Sequence, residues 1–230
     1  MNDIAVKCVG IKKSYGEKDN RVEALKGVDL EIHQGQLTLL VGPSGSGKTT
    51  LLSIISTILS SDEGELYLFD HEIHKMTELE KARFRRDSLG IVFQSLFLIP
   101  TLTVLENVSL PLLVAGYSQH QANLKALNFL EQLKMAHRSQ VSPAFLSKGQ
   151  QQRVAIARAM VNDSKIIVCD EPTSALDQAA GFEAMTLLHD LASKHSKAVL
   201  VVTHDHRIFP FANRIVEMSD GQIIKGDKHE

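Results

Sequence analysis

Short apolar runs alternate along this chain with longer amphipathic stretches, and the two periods separate strands from helices. LTLLV (37–41), KIIVCD (165–170) and AVLVVT (198–203) are continuous apolar runs of strand length, the pattern of parallel strands covered on both faces. IAVKCV (4–9), VDLEI (28–32), GELYLF (64–69) and LGIVFQ (89–94) are further strand candidates, with GEKDN as a turn signal between the first two. Helical spacing takes over in TTLLSIISTIL (49–59) and in the stretch carrying Phe182, Met185, Leu188 and Leu191. Leu124, Leu127, Phe129, Leu130 and Leu133 fit the i, i+3, i+4 stripe of an amphipathic helix. HKMTELEKARFRRD (74–87) is polar and basic, and residues 95–158 read as largely helical.

Strands alternating with helices predict an α/β fold, a mainly parallel sheet with helices on both faces. The first strands form an antiparallel β subdomain in this reading. Residues 1–94 and 159–230 make the core, and residues 95–158 form an inserted helical subdomain within one domain of 230 residues.

Composition narrows the class. With 43% hydrophobic and 23% charged residues the chain is of ordinary globular type, and a formal net charge of −2 argues against general nucleic-acid binding. Its two cysteines, Cys8 and Cys169, lack metal-ligand spacing and read as reduced thiols of a reducing compartment. His71/His74 and His204/His206 are the close pairs among scattered histidines and read by default as surface-loop positions. No apolar run reaches the roughly 18 residues of a membrane span. VSLPLLVAG (108–116) is short and interrupted by Pro111, and MNDIAVKCVGIKKSYG has no signal-like apolar region. A soluble chain is expected, with any membrane role exercised through a partner.

GPSGSGKT (42–49) satisfies G-x-x-x-x-G-K-[ST] after a strand and before a helix. Its glycines let successive backbone N–H groups face phosphates, Lys48 reaches the β- and γ-phosphates, and Thr49 offers a hydroxyl to Mg²⁺. KIIVCDEP delivers Asp170 to the metal at a strand end, with Glu171 next to it to orient or deprotonate a water. Two readings stand for His204, at the end of AVLVVTHD: a packed or exposed residue, or a donor to a γ-phosphate at the carboxyl edge of the sheet. Gln94, after LGIVF, is likewise an exposed loop amide or a group that bonds metal and water.

LSKGQQQR (146–153) poses a different question. Ser147 with Gln150 three residues on is a capping box, so a helix starts here. A helix N-terminus favours anions, yet Lys148 sits in its first turn. Either Lys148 is a solvated side chain, or a strongly negative group arrives at this helix.

Assembled in order, these elements make the chain resemble an ATP-binding cassette (ABC) ATPase over nearly its whole length. In that resemblance Tyr15 of KKSYG stacks on adenine. Gly42, Pro43, Ser44, Gly45, Ser46, Gly47, Lys48, Thr49 and Thr50 form the Walker A loop, and Gln94 is the Q-loop. LSKGQ is the signature, IIVCDEP is Walker B, SALD with Asp177 is the D-loop and THD with His204 is the switch. The resemblance implies ATP and Mg²⁺ as cofactors, with Thr49, Gln94 and Asp170 around the metal. Glu171, His204 and Gln94 are the expected catalytic groups. Ser147, Gly149 and Gln150 would bind the γ-phosphate of ATP held by a second copy, so that ATP binding makes a homodimer. RFRRDSLGIVFQSLFLIPTLTVLENVSLPLLVAG is similar to the branch of lipoprotein release and macrolide-type export, whose ATPases lie in the cytoplasm beneath membrane permeases. A sister reading is the cell-division ATPase, which regulates cell-wall enzymes through a membrane partner. Chromosome-organising ATPases share the motifs, but roughly a hundred residues without heptads separate Walker A from the signature here. The departure from the family pattern is Lys148, where the usual signature has glycine.

Overall fold

The computed structural model describes residues 3–17 and 20–228. Two sheets carry the architecture. β1 (Ile4–Tyr15), β2 (Val22–His33), β4 (Glu63–Leu68) and β5 (His71–Glu72) pair antiparallel in the order β2-β1-β4-β5. The second sheet has β3 (Leu37–Val41), β6 (Leu89–Val92), β7 (Ile166–Asp170), β8 (Ala198–Thr203), β9 (Arg214–Ser219) and β10 (Gln222–Lys228) in the order β10-β9-β3-β8-β7-β6. Its pairs are parallel except β9–β10. Register sets the later chemistry. Val41 pairs with Thr203 and Asp170 with Val202, so β3, β7 and β8 end level with one another.

Continuous apolar runs are needed because the parallel strands are buried on both faces. Leu40, Val168, Leu200 and Val202 face one core, shared with Leu51, Leu52 and Ile55 of α1 (Lys48–Ile55) and the antiparallel sheet. Leu37, Leu39, Ile167, Val199 and Val201 face the other, against Met185, Leu188 and Leu191 of α6 (Gln178–His195). A third core joins Val104, Val108 and Leu112 of α3 (Val104–Val114) to Ala122, Ala126 and Leu130 of α4 (Gln119–Gln132). α5 (Lys148–Met160) belongs to two cores: Ile156 and Ala159 pack on the sheet, Val154 and Ala157 on α3 and α4.

Several expectations shift. α1 ends at Ile55 rather than near residue 59, because the Ser56 hydroxyl turns back to Leu52 O and Thr57 takes a positive φ of 58°. HKMTELEKARFRRD contains a helix, α2 (Glu78–Ser88), whose apolar face is nearly absent; a Thr77–Glu80 capping box starts it. The stripe expected for α4 holds at Leu130 and Leu133 but not at Leu124. Leu124 is 56% exposed, while the small Ala122 and Ala126 face α3 and let the two helices approach. β9 and its hairpin with β10 add strands that the apolar runs did not announce. Both cysteines are buried and free, and burial pushes the Cys8 thiol up to about 12 and the Cys169 thiol higher still. Among the described residues no helix is long and apolar enough to cross a membrane.

Candidate active site

Level strand ends put three loops side by side. After β3 the chain turns at Gly42, φ 149°, where a Cβ would lie 2.0 Å from Met218 O. Gly47 caps α1 with φ 100°, and a Cβ there would meet Ala24 O at 2.5 Å. These positions are closed to any other residue, so the loop wraps tightly on the start of α1. The first turn of α1 has neither a capping side chain nor an acidic residue, which leaves its N–H groups for an anion. Lys48 opens that helix. Its Nζ donates to Gly42 O (2.9 Å), Pro43 O (2.7 Å) and Ser46 Oγ (3.3 Å). Burial pushes the Lys48 ammonium down, and the charges of Glu171 and Asp170 oppose that.

Opposite the loop stand the ends of β7 and β8. Burial, then the neighbouring Glu171 charge, pushes the Asp170 carboxyl up; the Thr49 hydroxyl and Lys48 pull it back. Glu171 leaves the strand with φ 48°, a left-handed backbone that costs a non-glycine residue about 1–3 kcal/mol. Its amide is held by Val202 O at 2.9 Å. One carboxylate oxygen lies 2.6 Å from His204 Nδ1, and the other accepts from the Thr203 hydroxyl at 3.3 Å.

A cleft of about 530 Å³ gathers Ala24, Ser44, Gly45, Ser46, Gly47, Lys48, Thr49, Thr50, Gln94, Asp170, Glu171, Val202 and His204. That volume is in the range of small-molecule and cofactor sites. Gly42 and Pro43 support it from behind through Lys48. Tyr15 stands half exposed at its margin, its hydroxyl 3.5 Å from Thr50 Oγ1.

Ser147, Gly149, Gln150 and Asp177 do not line this cleft. They meet at a second place, where the N-termini of α5 and α6 converge. Ser147 Oγ accepts from Gln150 N (3.3 Å) while Gln150 Oε1 accepts from Ser147 N (3.0 Å), the capping box expected from the sequence. Asp177 caps α6 through Ala180 N at 2.9 Å. Gly149 packs so closely that a Cβ would be 2.9 Å from Ala180 Cβ. Lys148 is exposed, has no ion-pair partner among the described residues, and borders a neighbouring groove with Gln94, Gln151 and Ser174.

Residues 25–174 match the family model described as ABC transporter. The chain belongs to the ABC transporter family. The lipoprotein-releasing system ATP-binding protein LolD of Pseudoalteromonas translucida is 38% identical over 230 residues, covering all of this chain and 99% of that protein. The macrolide export ATP-binding/permease protein MacB of Shigella flexneri is 40% identical over 215 residues, 94% of this chain but 33% of MacB. This ABC chain therefore spans the length of LolD and about a third of the ATP-binding/permease relatives. The dimeric post-hydrolysis structure of the ATP-binding cassette MJ0796 bound to ADP and Pi superposes with a TM-score of 0.89 at 40% identity, covering 97% of this chain and 98% of that one. Like those relatives, the chain is the ATP-binding cassette of an ABC system, and an ATPase.

Sequence reasoning quoted Thr203 and Asp205 only as neighbours of His204, gave Thr173 no part, and missed the contacts by which the three join Glu171 to the loop after β8. A threonine and an aspartate flanking His204 carried no periodic or spacing signal of their own.

Proposed function

We propose that two copies of this chain bind ATP between them, hydrolyse it, and drive a membrane permease in export or lipoprotein-release work. One observation carries the reading: the phosphate-binding set is split between two places on one chain. Lys48, Asp170, Glu171 and His204 share a cleft, whereas the Ser147 helix start, an anion-favouring N-terminus even with its Gln150 N–H capped, does not line it. A second copy brings its Ser147, Gly149 and Gln150 to the first copy's γ-phosphate. The dimeric MJ0796 structure supports this pairing.

In the mechanism Lys48 and the free N–H groups of α1 hold the β- and γ-phosphates, and Tyr15 stacks on the base. The oxygen donors of Thr49, Asp170 and Gln94 suit Mg²⁺, a hard cation, and all three line the one cleft. When bound, that ion neutralises charge on the phosphates. Glu171 accepts a proton from water as its oxygen attacks the γ-phosphorus. The bond to the β–γ bridging oxygen breaks, and ADP and phosphate leave. His204 donates to the γ-phosphate, and Gln94 registers its presence.

The permease docks on a cleft of about 440 Å³ lined by Phe93, Phe97, Leu110, Pro111 and Val114 together with Arg85, Arg86 and Arg158. Phe97 is 63% and Val114 65% exposed, an apolar surface of the kind that marks an interaction site. Residues 95–158 act as the helical subdomain that moves with the permease. The match to LolD supports an ATPase peripheral on the cytoplasmic face of the membrane.

Glu171→Gln tests the reading. The variant should bind ATP normally, lose at least about 100-fold in turnover as expected for a missing general base, and accumulate as an ATP-bound pair in size-exclusion chromatography. Normal turnover in that variant removes Glu171 from the role.

A further inference from the structure

We propose that Thr203 is a positioning residue for Glu171, held in its working orientation by Asp205, and that Asp205 ties the switch loop to the segment leading into Asp177. The inference rests on Glu171 as general base. Thr203 is wholly buried at the end of β8. Its Oγ1 has two neighbours of opposite kind. The Asp205 backbone N–H, which can only donate, reaches it at 3.0 Å. The Glu171 carboxylate, which accepts, lies 3.3 Å away. With one lone pair taken by the amide, the hydroxyl proton is directed at Glu171 Oε2.

Thr203 is thus a fixed donor. His204, the other donor to Glu171, has a side chain 70% exposed and is the group expected to turn toward the γ-phosphate. When it turns, Thr203 remains to keep the carboxylate from rotating on its strained backbone. Asp205 holds the geometry in turn. Its side chain is 12% exposed and accepts from Arg207 N (3.0 Å), Nε (2.8 Å) and Nη2 (2.8 Å), and from the Thr173 hydroxyl (3.1 Å). Thr173 lies two residues beyond Glu171 and is itself buried. One carboxylate therefore fixes both loops that flank the general base.

Thr203→Val keeps the branched shape in a buried strand and removes the hydroxyl; Thr203→Ser keeps the hydroxyl. Thr203→Val should lower kcat about tenfold with KM for ATP unchanged and circular dichroism like the parent's, with melting lower by about 2–12 °C for the Asp205 N–H left unpaired. It should also lengthen the lifetime of the ATP-bound pair on size exclusion, while Thr203→Ser restores both. Asp205→Asn should give an intermediate loss in kcat. Parental kcat in folded Thr203→Val, or an equal loss in Thr203→Ser, overturns the inference. If Glu171→Gln turns over normally, the reading of the base fails instead. An inactive Glu171→Gln beside a fully active Thr203→Val sinks the positioning role alone.

Discussion

Lys148 has a side chain free to follow the charge placed near it, since it is exposed and without an ion pair among the described residues. Its cost at the α5 N-terminus is a few tenths of a kcal/mol, and a phosphate brought by a second copy reverses the sign. Lys148→Gly removes that attraction and lowers helix propensity. Together these amount to about 1 kcal/mol, so ATPase activity should stay within about fivefold of the parent in a steady-state assay. A hundredfold rise would make Lys148 a brake on turnover. Residues of the phosphate loop were legible in the sequence because two of its glycines answer a steric demand: at Gly42 and Gly47 any Cβ would strike backbone oxygen. Thr203 and Asp205 were not, because their importance lies in which atoms face one another across β7 and β8.

Elements show where periodicity is a sufficient guide and where it is not. The strands β3, β7 and β8 could be read to within a residue because burial on both faces leaves Thr38 as the one polar residue inside their apolar runs. α4 could be found and Leu130 placed on its buried face, but the rest of that face is Ala122 and Ala126, and the larger Leu124 points outward. β9 was overlooked because only Val216 and Met218 of its six residues are buried. α6 joins the sheet to the outside through fully buried Leu188. Leu188→Ala should cost about 2–5 kcal/mol in denaturant unfolding, the range for a leucine truncated in a core. The link from β8 into the loop after it carries a pH signature. Arg207's hydrogen bonds hold the Asp205 carboxyl down at about 2, below its ordinary 3.8. A depressed acid stabilises the fold in full above its unfolded value and loses that contribution as pH falls through the folded one. The melting-temperature gap between the parent and Asp205→Asn should therefore be constant above pH about 4 and close between 3.8 and about 2.

Two kinds of contact hold the whole molecule at work, one to nucleotide and a second copy, the other to the membrane partner. Ligand at about 100 times its Kd stabilises a protein by about 2.7 kcal/mol, and a domain of this size gains about 2–4 °C per kcal/mol. ATP should therefore raise the Tm of Glu171→Gln by about 5–11 °C, and more at higher protein concentration, because the bound form is a pair. Differential scanning at two protein concentrations checks both. Val114→Asp on the exposed rim of the apolar cleft should abolish permease binding in a pull-down with the purified partner and leave ATP binding untouched. Loss of both would place that surface elsewhere. α5 bridges the sheet core and the outer helical core, so in the proposed assembly the helix offered to the second copy's phosphate is also packed against α3, beside the proposed permease surface.

The two cysteines, Cys8 and Cys169, both buried as weakly acidic thiols, leave this protein chemically silent to maleimides and iodoacetamide while it is folded. A single cysteine introduced on the α6 surface, at Glu183 for instance, would be the one site to take a spin label or fluorophore. Interchain distances could then be followed through a turnover cycle without first stripping the native thiols.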